Sequence, residues 1–162
     1  MLKIKNILIV LIVLLILTQI TIAQDTENEA DAIIGTWVME DDMGVLEIFK
    51  EGMCYNGKIV YMKKTEEDGS QLKDNENPVD SLKSREVVGL QVMNNFEYDG
   101  DKCWNEGTFY AALRGKKVEP DFILKNKKQL DLKISFLFFS KTIELTRVNK
   151  TEYFNSIIND EK

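Results

Sequence analysis

The feature that most constrains this chain is a series of short segments in which apolar and polar residues alternate. In one segment near the C-terminus Leu130, Leu132 and Ile134 are separated by polar residues, and Ile143 and Leu145 repeat the pattern in the next segment. A period of two places the apolar side chains on one face of a β-strand and leaves the other face to water. Sustained helical periodicity is absent between residues 35 and 148, so the pattern predicts an antiparallel all-β fold.

Turn residues such as Asp-Gly, Asn-Pro and single glycines separate eight segments of strand type. The segments cover residues 35–40, 45–50, 57–63, 87–98, 103–110, 117–124, 129–135 and 141–148. An open sheet would leave two exposed edges, whereas closure into an up-and-down barrel removes both. We therefore predict an eight-stranded antiparallel up-and-down barrel over residues 35–148, with a two-sheet sandwich as the alternative. In the C-terminal tail, residues 149–162, a helical pattern over residues 152–158 predicts a short helix.

The first 23 residues have the pattern of a secretory signal peptide rather than of a folded segment. Two lysines provide a basic start, an aliphatic run covers residues 7–17, and small residues up to Ala23 mark a cleavage site. The alternative is a transmembrane anchor, but polar residues interrupt the run before it reaches the roughly 20 apolar residues that a span requires. We expect cleavage after Ala23, a flexible acidic lead-in over residues 24–34, and a periplasmic or secreted protein without stable membrane insertion.

The composition argues against several classes of function. The formal net charge is −6, with 21 basic and 27 acidic residues. An acidic surface argues against binding to nucleic acids or to anionic membrane surfaces, because both attract clustered Lys and Arg. The chain contains no histidine, which removes the usual general base near neutral pH, the commonest zinc ligand and the Ser-His and Cys-His nucleophilic pairs. We therefore expect a protein that is not an enzyme and that uses no metal and no cofactor.

Many acidic side chains lie in turns and in a long polar loop over residues 64–84. They include Asp41, Asp42, Glu66, Glu67, Asp68, Asp74 and Glu76. These residues favour a solvated loop over a weak calcium site, because they lack the regular order of carboxylates found in calcium-binding loops. Hydrolytic activity would need carboxylates inside the barrel, and the sequence places none there.

The two cysteines, Cys54 and Cys103, fall in the turns that follow the second and the fourth predicted strands. In a meander these two turns project from the same end of the barrel, and an exported protein meets an oxidising compartment. A disulfide between them is therefore geometrically reasonable. Two free thiols are the alternative, because the sequence alone does not establish that the two residues are close.

The first and last predicted strands indicate how one end of the barrel closes. Trp37 lies at the start of the first strand, and Arg147 lies at the end of the eighth strand on the same face as its apolar residues. These positions meet in an up-and-down barrel, so the guanidinium can stack on the indole, a contact worth about 0.5–2 kcal/mol. Gly35 would let the chain approach closely there. The alternative is an ordinary core tryptophan and a surface arginine.

The opposite end is the predicted entrance to an interior that is just wide enough for side chains or for one small ligand. Arg85 would receive an anionic head group at this mouth, or else would pin the long loop to the barrel rim. Val88, Leu90 and Val92 share one face of the predicted fourth strand and are the candidate contacts for a small apolar or amphipathic molecule. The apolar residues 136–139 form either a lip at the mouth or part of the core. In a second hypothesis the long polar loop contacts another protein and no small molecule binds.

The Gly-x-Trp tripeptide at Gly35 to Trp37, together with the inward-facing Arg147, resembles the closing signature of lipocalins and the wider calycin group. A narrower resemblance is to the bacterial secreted domain-of-unknown-function family 2147. It rests on four segments that occur in the family's order, GTWVMEDDMGVLEIFK, YNGKIVYMKK, NPVDSLKSREVVGLQVM and NEGTFY. The resemblance implies an exported calycin-like barrel whose biochemical role is not established. The chain departs from the family pattern at Ala111-Ala112, where members usually carry Asp-Pro, and at Asn56, where members commonly carry a cysteine.

Overall fold

Ten strands of one antiparallel sheet and a C-terminal helix make up the fold in the computed structural model, which describes residues 29–160. The strands are β1 (Gly35–Met39), β2 (Gly44–Glu51), β3 (Cys54–Met62), β4 (Gln91–Gly100), β5 (Cys103–Asn105), β6 (Thr108–Ala111), β7 (Lys116–Val118), β8 (Asp121–Asn126), β9 (Gln129–Phe136) and β10 (Phe139–Val148), and the helix is α1 (Lys150–Asp160). The chain divides into a unit of residues 1–32 and a unit of residues 33–162. The strands and α1 belong to the second unit.

The predicted leader lies mostly outside this description. Residues 1–23, the expected signal peptide, and residues 24–28 of the expected lead-in fall outside the described residues. Residues 29–32 are helical. The lead-in was expected to be flexible over residues 24–34, and this prediction is wrong for Ile33 at its C-terminal end. Ile33 is fully buried, and its carbonyl accepts a hydrogen bond of 2.9 Å from the indole N–H of Trp37, so the folded unit begins here.

The strands close into a ring, which confirms the predicted barrel. Around the sheet the order is β3-β2-β1-β10-β9-β8-β5-β4, and pairing of β3 with β4 completes the circle. β5 and β6 both pair with β4 and are the two halves of the fifth barrel strand. β8 pairs with β5 and β7 pairs with β6, so β7 and β8 are the two halves of the sixth. Glu106, with a φ of 57°, interrupts the fifth strand. Pro120, which has no N–H to donate, interrupts the sixth.

The fourth barrel strand begins later than the sequence suggested, so the candidate ligand contacts Val88 and Leu90 do not share one strand face with Val92 as predicted. β4 starts at Gln91 rather than at residue 87. Just before it, the N–H of Leu90 donates to the carbonyl of Val87 at 3.1 Å, and Gly89 has a φ of 90°. Val88 and Leu90 therefore lie in or beside a turn and are half-buried, because the glycine breaks the period of two.

Aromatic and aliphatic side chains fill the interior of the barrel. A bulge in β4 turns both Val92 and Met93 toward the core, where they are 1% and 0% exposed. The rings of Phe96 and Phe122 meet edge to face with centroids 5.0 Å apart. Other fully buried side chains of this core include Trp37, Leu46, Ile48, Tyr55, Trp104, Leu130 and Leu145. An eight-stranded barrel has room for side chains or for one small ligand, and here side chains fill the interior. Val92 is therefore a core residue and does not line a cavity.

The predicted C-terminal helix is present as α1, and it lies over the outer face of the first three strands. The ring of Phe154 in α1 packs edge to face on Tyr61 in β3, with centroids 6.2 Å apart. Val38 and Val45 are partners in the β1–β2 ladder. They face outward, because Val38 is next to inward-facing Trp37, and yet both are buried. The helix thus adds a second apolar layer outside the barrel wall.

Candidate functional site

The base of the barrel is closed by the predicted contact between Trp37 and Arg147. The two residues are direct partners in the β1–β10 ladder, and the guanidinium carbon lies 4.2 Å from the centroid of the Trp37 ring. The guanidinium also donates to the carbonyl of Ile34 at 2.6 Å and to the carbonyl of Lys127 at 2.8 Å. Gly35 has a φ of 146°, and a Cβ there would lie 2.5 Å from Nη1 of Arg147, so a larger residue would displace the arginine. Burial lowers the pKa of Arg147 from its ordinary value.

At the other end, a cluster of polar side chains holds the long loop. We call it the loop anchor, and it consists of Asp74, Asn77, Arg85 and Tyr110. The Asp74 carboxylate is 0% exposed and accepts hydrogen bonds from Arg85 Nε at 2.9 Å and from the Tyr110 hydroxyl at 2.7 Å. The Asn77 amide donates to the same carboxylate at 2.7 Å, and Arg85 Nη2 lies 2.8 Å from it. These donors offset the cost of burying a charged group.

Tyr110 connects the loop anchor to the barrel wall. Its neighbour Phe109 pairs with inward-facing Met93, so Tyr110 points outward, toward the loop. Burial, and then the hydrogen bond to Asp74, raise the pKa of Tyr110, which keeps the hydroxyl protonated as a donor. Arg85 therefore pins the loop to the rim, which is one of its two predicted roles. The structure gives no support to the other role, because the Arg85 guanidinium is engaged by Asp74.

Of the two alternatives for Cys54 and Cys103, the structure shows two free thiols and no disulfide. Cys54 begins β3 and Cys103 begins β5, and β4 lies between these two strands. Two strand spacings separate their backbones by about 9–10 Å, beyond the roughly 7 Å across which two Cα atoms can be bridged. Burial, followed by the charges of Asp121 and Asp99, raises the pKa of Cys103, so this thiol is not an activated nucleophile.

Apolar side chains are exposed at the mouth, the end opposite Trp37. Leu137 and Phe138 form the turn between β9 and β10 and are 95% and 97% exposed, and Phe139 is 67% exposed. Met43 in the β1–β2 turn and Leu113 in the β6–β7 turn are exposed at the same end. The interpretation of this segment as a lip is confirmed for residues 137–139.

A cleft opens in the barrel wall beside this lip. The β8–β9 pairing ends at Asp121 and Lys133, and toward the mouth the strands part. The space between them is about 420 Å³ and is lined by Thr108, Lys117, Val118, Glu119, Ile134 and Ser135. This volume lies within the roughly 300–1,000 Å³ range of small-molecule sites. Sequence reasoning missed the cleft, and the signal that could have indicated it is Pro120, which cannot continue the ladder.

A second concavity, of about 430 Å³, lies in the long loop and is lined by Glu66, Glu67, Asp68, Ser70, Lys73 and Asn75. The Glu66 carboxylate is used within the loop, since it accepts hydrogen bonds from the Lys73 N–H at 2.8 Å and the Asn75 amide at 3.0 Å. Within residues 29–160 no three Asp, Glu, Cys or His side chains are grouped so as to hold a metal ion. In the same part of the chain, every helix is too short or too polar to cross a lipid bilayer.

The closed antiparallel barrel, with Arg147 stacked on Trp37 at its base and α1 on its outside, has a lipocalin-like fold. The chain is similar in structure to a protein of the human pathogen Helicobacter pylori, HP1028, which is described as belonging to the lipocalin family. The TM-score is 0.65, and the two proteins are 19% identical over 76% of this chain and 87% of that chain. At this identity the likeness shows the fold alone. The profile of DUF2147, described as uncharacterized proteins conserved in bacteria, matches residues 35–147, and the chain belongs to this family. No curated protein matches it.

Proposed function

We propose that the protein is an exported, non-enzymatic binding protein that holds a small amphipathic molecule in the cleft between β7 and β9. The observation that carries the proposal is the cleft of about 420 Å³ between Val118 and Ile134, beside the exposed apolar turn of the mouth. The packed interior favours the cleft over the lumen, because a ligand in the lumen would displace fully buried aromatic side chains.

The lining of the cleft fits a molecule with one apolar chain and one polar head group. Val118 and Ile134 are half-buried and provide an apolar wall. Lys117 and the Ser135 hydroxyl supply donors, and Glu119 supplies a carboxylate. One positive and one negative side chain make the charged lining neutral in sum. A neutral or zwitterionic head group matches this lining better than a strongly anionic one.

The other parts of the proposal rest on the sequence. The basic start, the aliphatic run and the small residues before Ala23 support export to the periplasm or release from the cell. A chain without histidine lacks the commonest acid–base group of enzymes, which supports a role in binding rather than catalysis.

Titration of the exported protein with lysophosphatidylcholine below its micelle-forming concentration tests the proposal, with isothermal titration calorimetry as the measurement. Val118→Gln and Ile134→Gln should each weaken binding by about tenfold, because a polar side chain replaces part of the apolar wall. Ile123→Gln is the matched control, since Ile123 is half-buried on β8 outside the cleft lining, and it should leave the affinity unchanged. Thermal melting checks that each variant is folded. Absence of saturable binding, or equal affinity of all three variants, would contradict the proposal.

A second candidate is an envelope module that contacts another protein through residues 64–84. The loop anchor favours it, because it holds the loop in one geometry and presents Val79 and Leu82, which are 50% and 38% exposed. Cross-linking in the native host tests this candidate. A specific partner captured by the wild-type protein should be lost with Val79→Asp, and capture that is indifferent to this substitution would remove the loop from consideration.

A further inference from the structure

The turn between β9 and β10 exposes the two most accessible large apolar side chains of the described residues, Leu137 at 95% and Phe138 at 97%. The adjoining ladder pairs Phe136 with Phe139, so the turn is a tight two-residue hairpin connection. The tip of a β-hairpin is the part of a strand pair that reaches farthest into solvent. These two side chains therefore project beyond the mouth of the barrel.

Turn chemistry does not explain the choice of Leu and Phe at these positions. Two-residue hairpin turns often contain Asn, Asp or Gly, because these residues tolerate positive φ. Neither Leu137 nor Phe138 has a positive φ, so the backbone of this turn accepts apolar residues without requiring them. At the base of the same barrel the β4–β5 turn follows this preference in part, with Asp101 at φ 47° and Lys102 at φ 59°. Two adjacent apolar side chains that are almost fully exposed at the tip of a hairpin indicate a surface that is covered by something else.

The two segments that flank the tip carry positive charge, although Glu119 and the acidic residues 40–42 also lie at the mouth. Residues 112–118 and 133–143 contain five basic residues and no acidic residue, in a chain whose formal net charge is −6. Arg114, Lys116, Lys117 and Lys141 are all exposed. The two segments are neighbours, because Lys117 and Ser135 line the same cleft. We call Leu137, Phe138 and the exposed Arg114, Lys116 and Lys141 the basic apolar tip.

We propose that the basic apolar tip docks this protein on a lipid bilayer that contains anionic phospholipids. Leu137 and Phe138 enter the interfacial region, and the basic side chains meet the phosphate groups. The positions of the apolar and basic side chains along the hairpin fit a lipid bilayer. Lys141 follows Phe139 by two residues in β10, which sets it about 7 Å behind Phe139, the first residue after the tip, at the strand rise per residue. Peripheral apolar segments bury to a depth of roughly 5–10 Å while their cations stay among the head groups.

Charge complementarity separates this surface from the rest of the molecule. The acidic balance of the whole chain opposes adsorption on an anionic bilayer, and the acidic residues 40–42 lie at the same end. Contact is therefore favourable only where the hairpin of residues 133–143, which contains no acidic residue, meets the lipid first. Attraction between exposed charges weakens when salt shortens the Debye length. Docking of this kind is reversible and involves no membrane-spanning segment.

Vesicle co-sedimentation tests the proposal on the protein purified after export, with its N-terminus determined by mass spectrometry. Wild-type protein should bind vesicles of phosphatidylethanolamine and phosphatidylglycerol, should bind vesicles of phosphatidylcholine alone more weakly, and should be released by high salt. The double variant Leu137→Ser/Phe138→Ser should bind at least about tenfold more weakly. Lys116→Gln/Lys141→Gln should bind several-fold more weakly and should show a smaller salt dependence. Met53→Ser is the matched control, because Met53 is 86% exposed in the β2–β3 turn at the opposite end, and it should bind like wild type.

Three outcomes would overturn the proposal. They are no binding of wild-type protein to the anionic vesicles, equal binding by the Leu137→Ser/Phe138→Ser variant, and a tip-dependent dimer in place of vesicle binding. The last outcome would assign the tip to a second copy of this chain. Val118→Gln should retain vesicle binding, and the tip variant should retain affinity for lysophosphatidylcholine. Failure of membrane docking is therefore distinguishable from failure of the cleft as a ligand site.

Discussion

The two ends of the barrel differ in how they are closed and in what they expose to water. At the base, strand pairing brings Trp37 and Arg147 into a stack, and the tryptophan is fully buried. At the mouth, Leu137 and Phe138 are almost fully exposed, and polar side chains hold the long loop to the wall. The base therefore contributes to the stability of the fold, whereas the mouth exposes the cleft and the apolar surface on which the two proposals of binding depend.

The difference follows from chain connectivity. The contact at the base joins ladder partners, so it forms whenever β1 and β10 pair and orders no additional loop. The mouth carries the connection from β3 to β4, which spans residues 63–90. A loop of this length stays ordered only if specific contacts offset its conformational entropy. Stability and the proposed binding thus depend on opposite ends of the barrel, and substitutions should separate them.

The largest expected effect is at the base. Trp37→Ala should lower the free energy of unfolding by about 3–5 kcal/mol, because it removes a fully buried aromatic side chain and the surface on which Arg147 stacks. Phe138→Ala is the matched change at the mouth and should stay within about 0.5 kcal/mol of wild type. Urea unfolding followed by circular dichroism measures both values. Similar losses for the two variants would contradict the division between the ends.

An intermediate effect is expected at the loop anchor. Asp74→Asn keeps the side-chain volume but removes the charge that Arg85 faces, and should cost about 1–3 kcal/mol since Arg85 is partly exposed. The loss should be local. Hydrogen exchange should show faster exchange in residues 64–90 and unchanged protection in β1 and β10. Asp80→Asn changes an exposed carboxylate paired with Lys83 in the same loop and should have no such effect. Uniform loss of protection after Asp74→Asn would show that the loop anchor supports the whole barrel.

The smallest expected effect concerns the contact between α1 and the barrel. A hydrogen bond from Lys150, at 2.6 Å, is the main cause that holds the pKa of Glu47 below its ordinary value of 4.5. A lowered folded-state pKa stabilises the fold above the ordinary pKa, and this contribution is lost as the pH falls through the folded-state value. Lys150→Ala should cost about 0.2–1 kcal/mol at neutral pH, because Lys150 is half exposed and Glu47 is also in contact with water. The difference from wild type should vanish well below pH 4.5. Thermal melting across this range measures it, and a difference that persists in acid would assign it to helix packing instead.

The parts of the fold that depend on local pattern were predictable. The alternation of Leu130, Leu132 and Ile134 predicted β9, and strands of this type accounted for all eight positions of the barrel. The contact of Trp37 with Arg147 followed from an even number of antiparallel strands, which makes the first and last strands neighbours at one end. The C-terminal helix followed from its own periodicity.

Features that depend on departures from regular pairing were not predictable. Cys54 and Cys103 project from the same end, but their strands are separated by β4. Val92 faces the core beside Met93 because a bulge interrupts the alternation. The bond between Asp74 and Tyr110 joins residues 36 positions apart, and neither residue signals the other.

By itself, the amino-acid sequence determined the strand type, the closure of the sheet and the sealed base, because side-chain alternation and turn chemistry act over a few neighbouring residues. Only the tertiary structure decided that the interior is packed, that the wall parts between Val118 and Ile134, and that the loop is anchored through Asp74. These outcomes depend on which side chains meet across the barrel and on where single residues bulge out of the ladder, and a period of two contains no information about either.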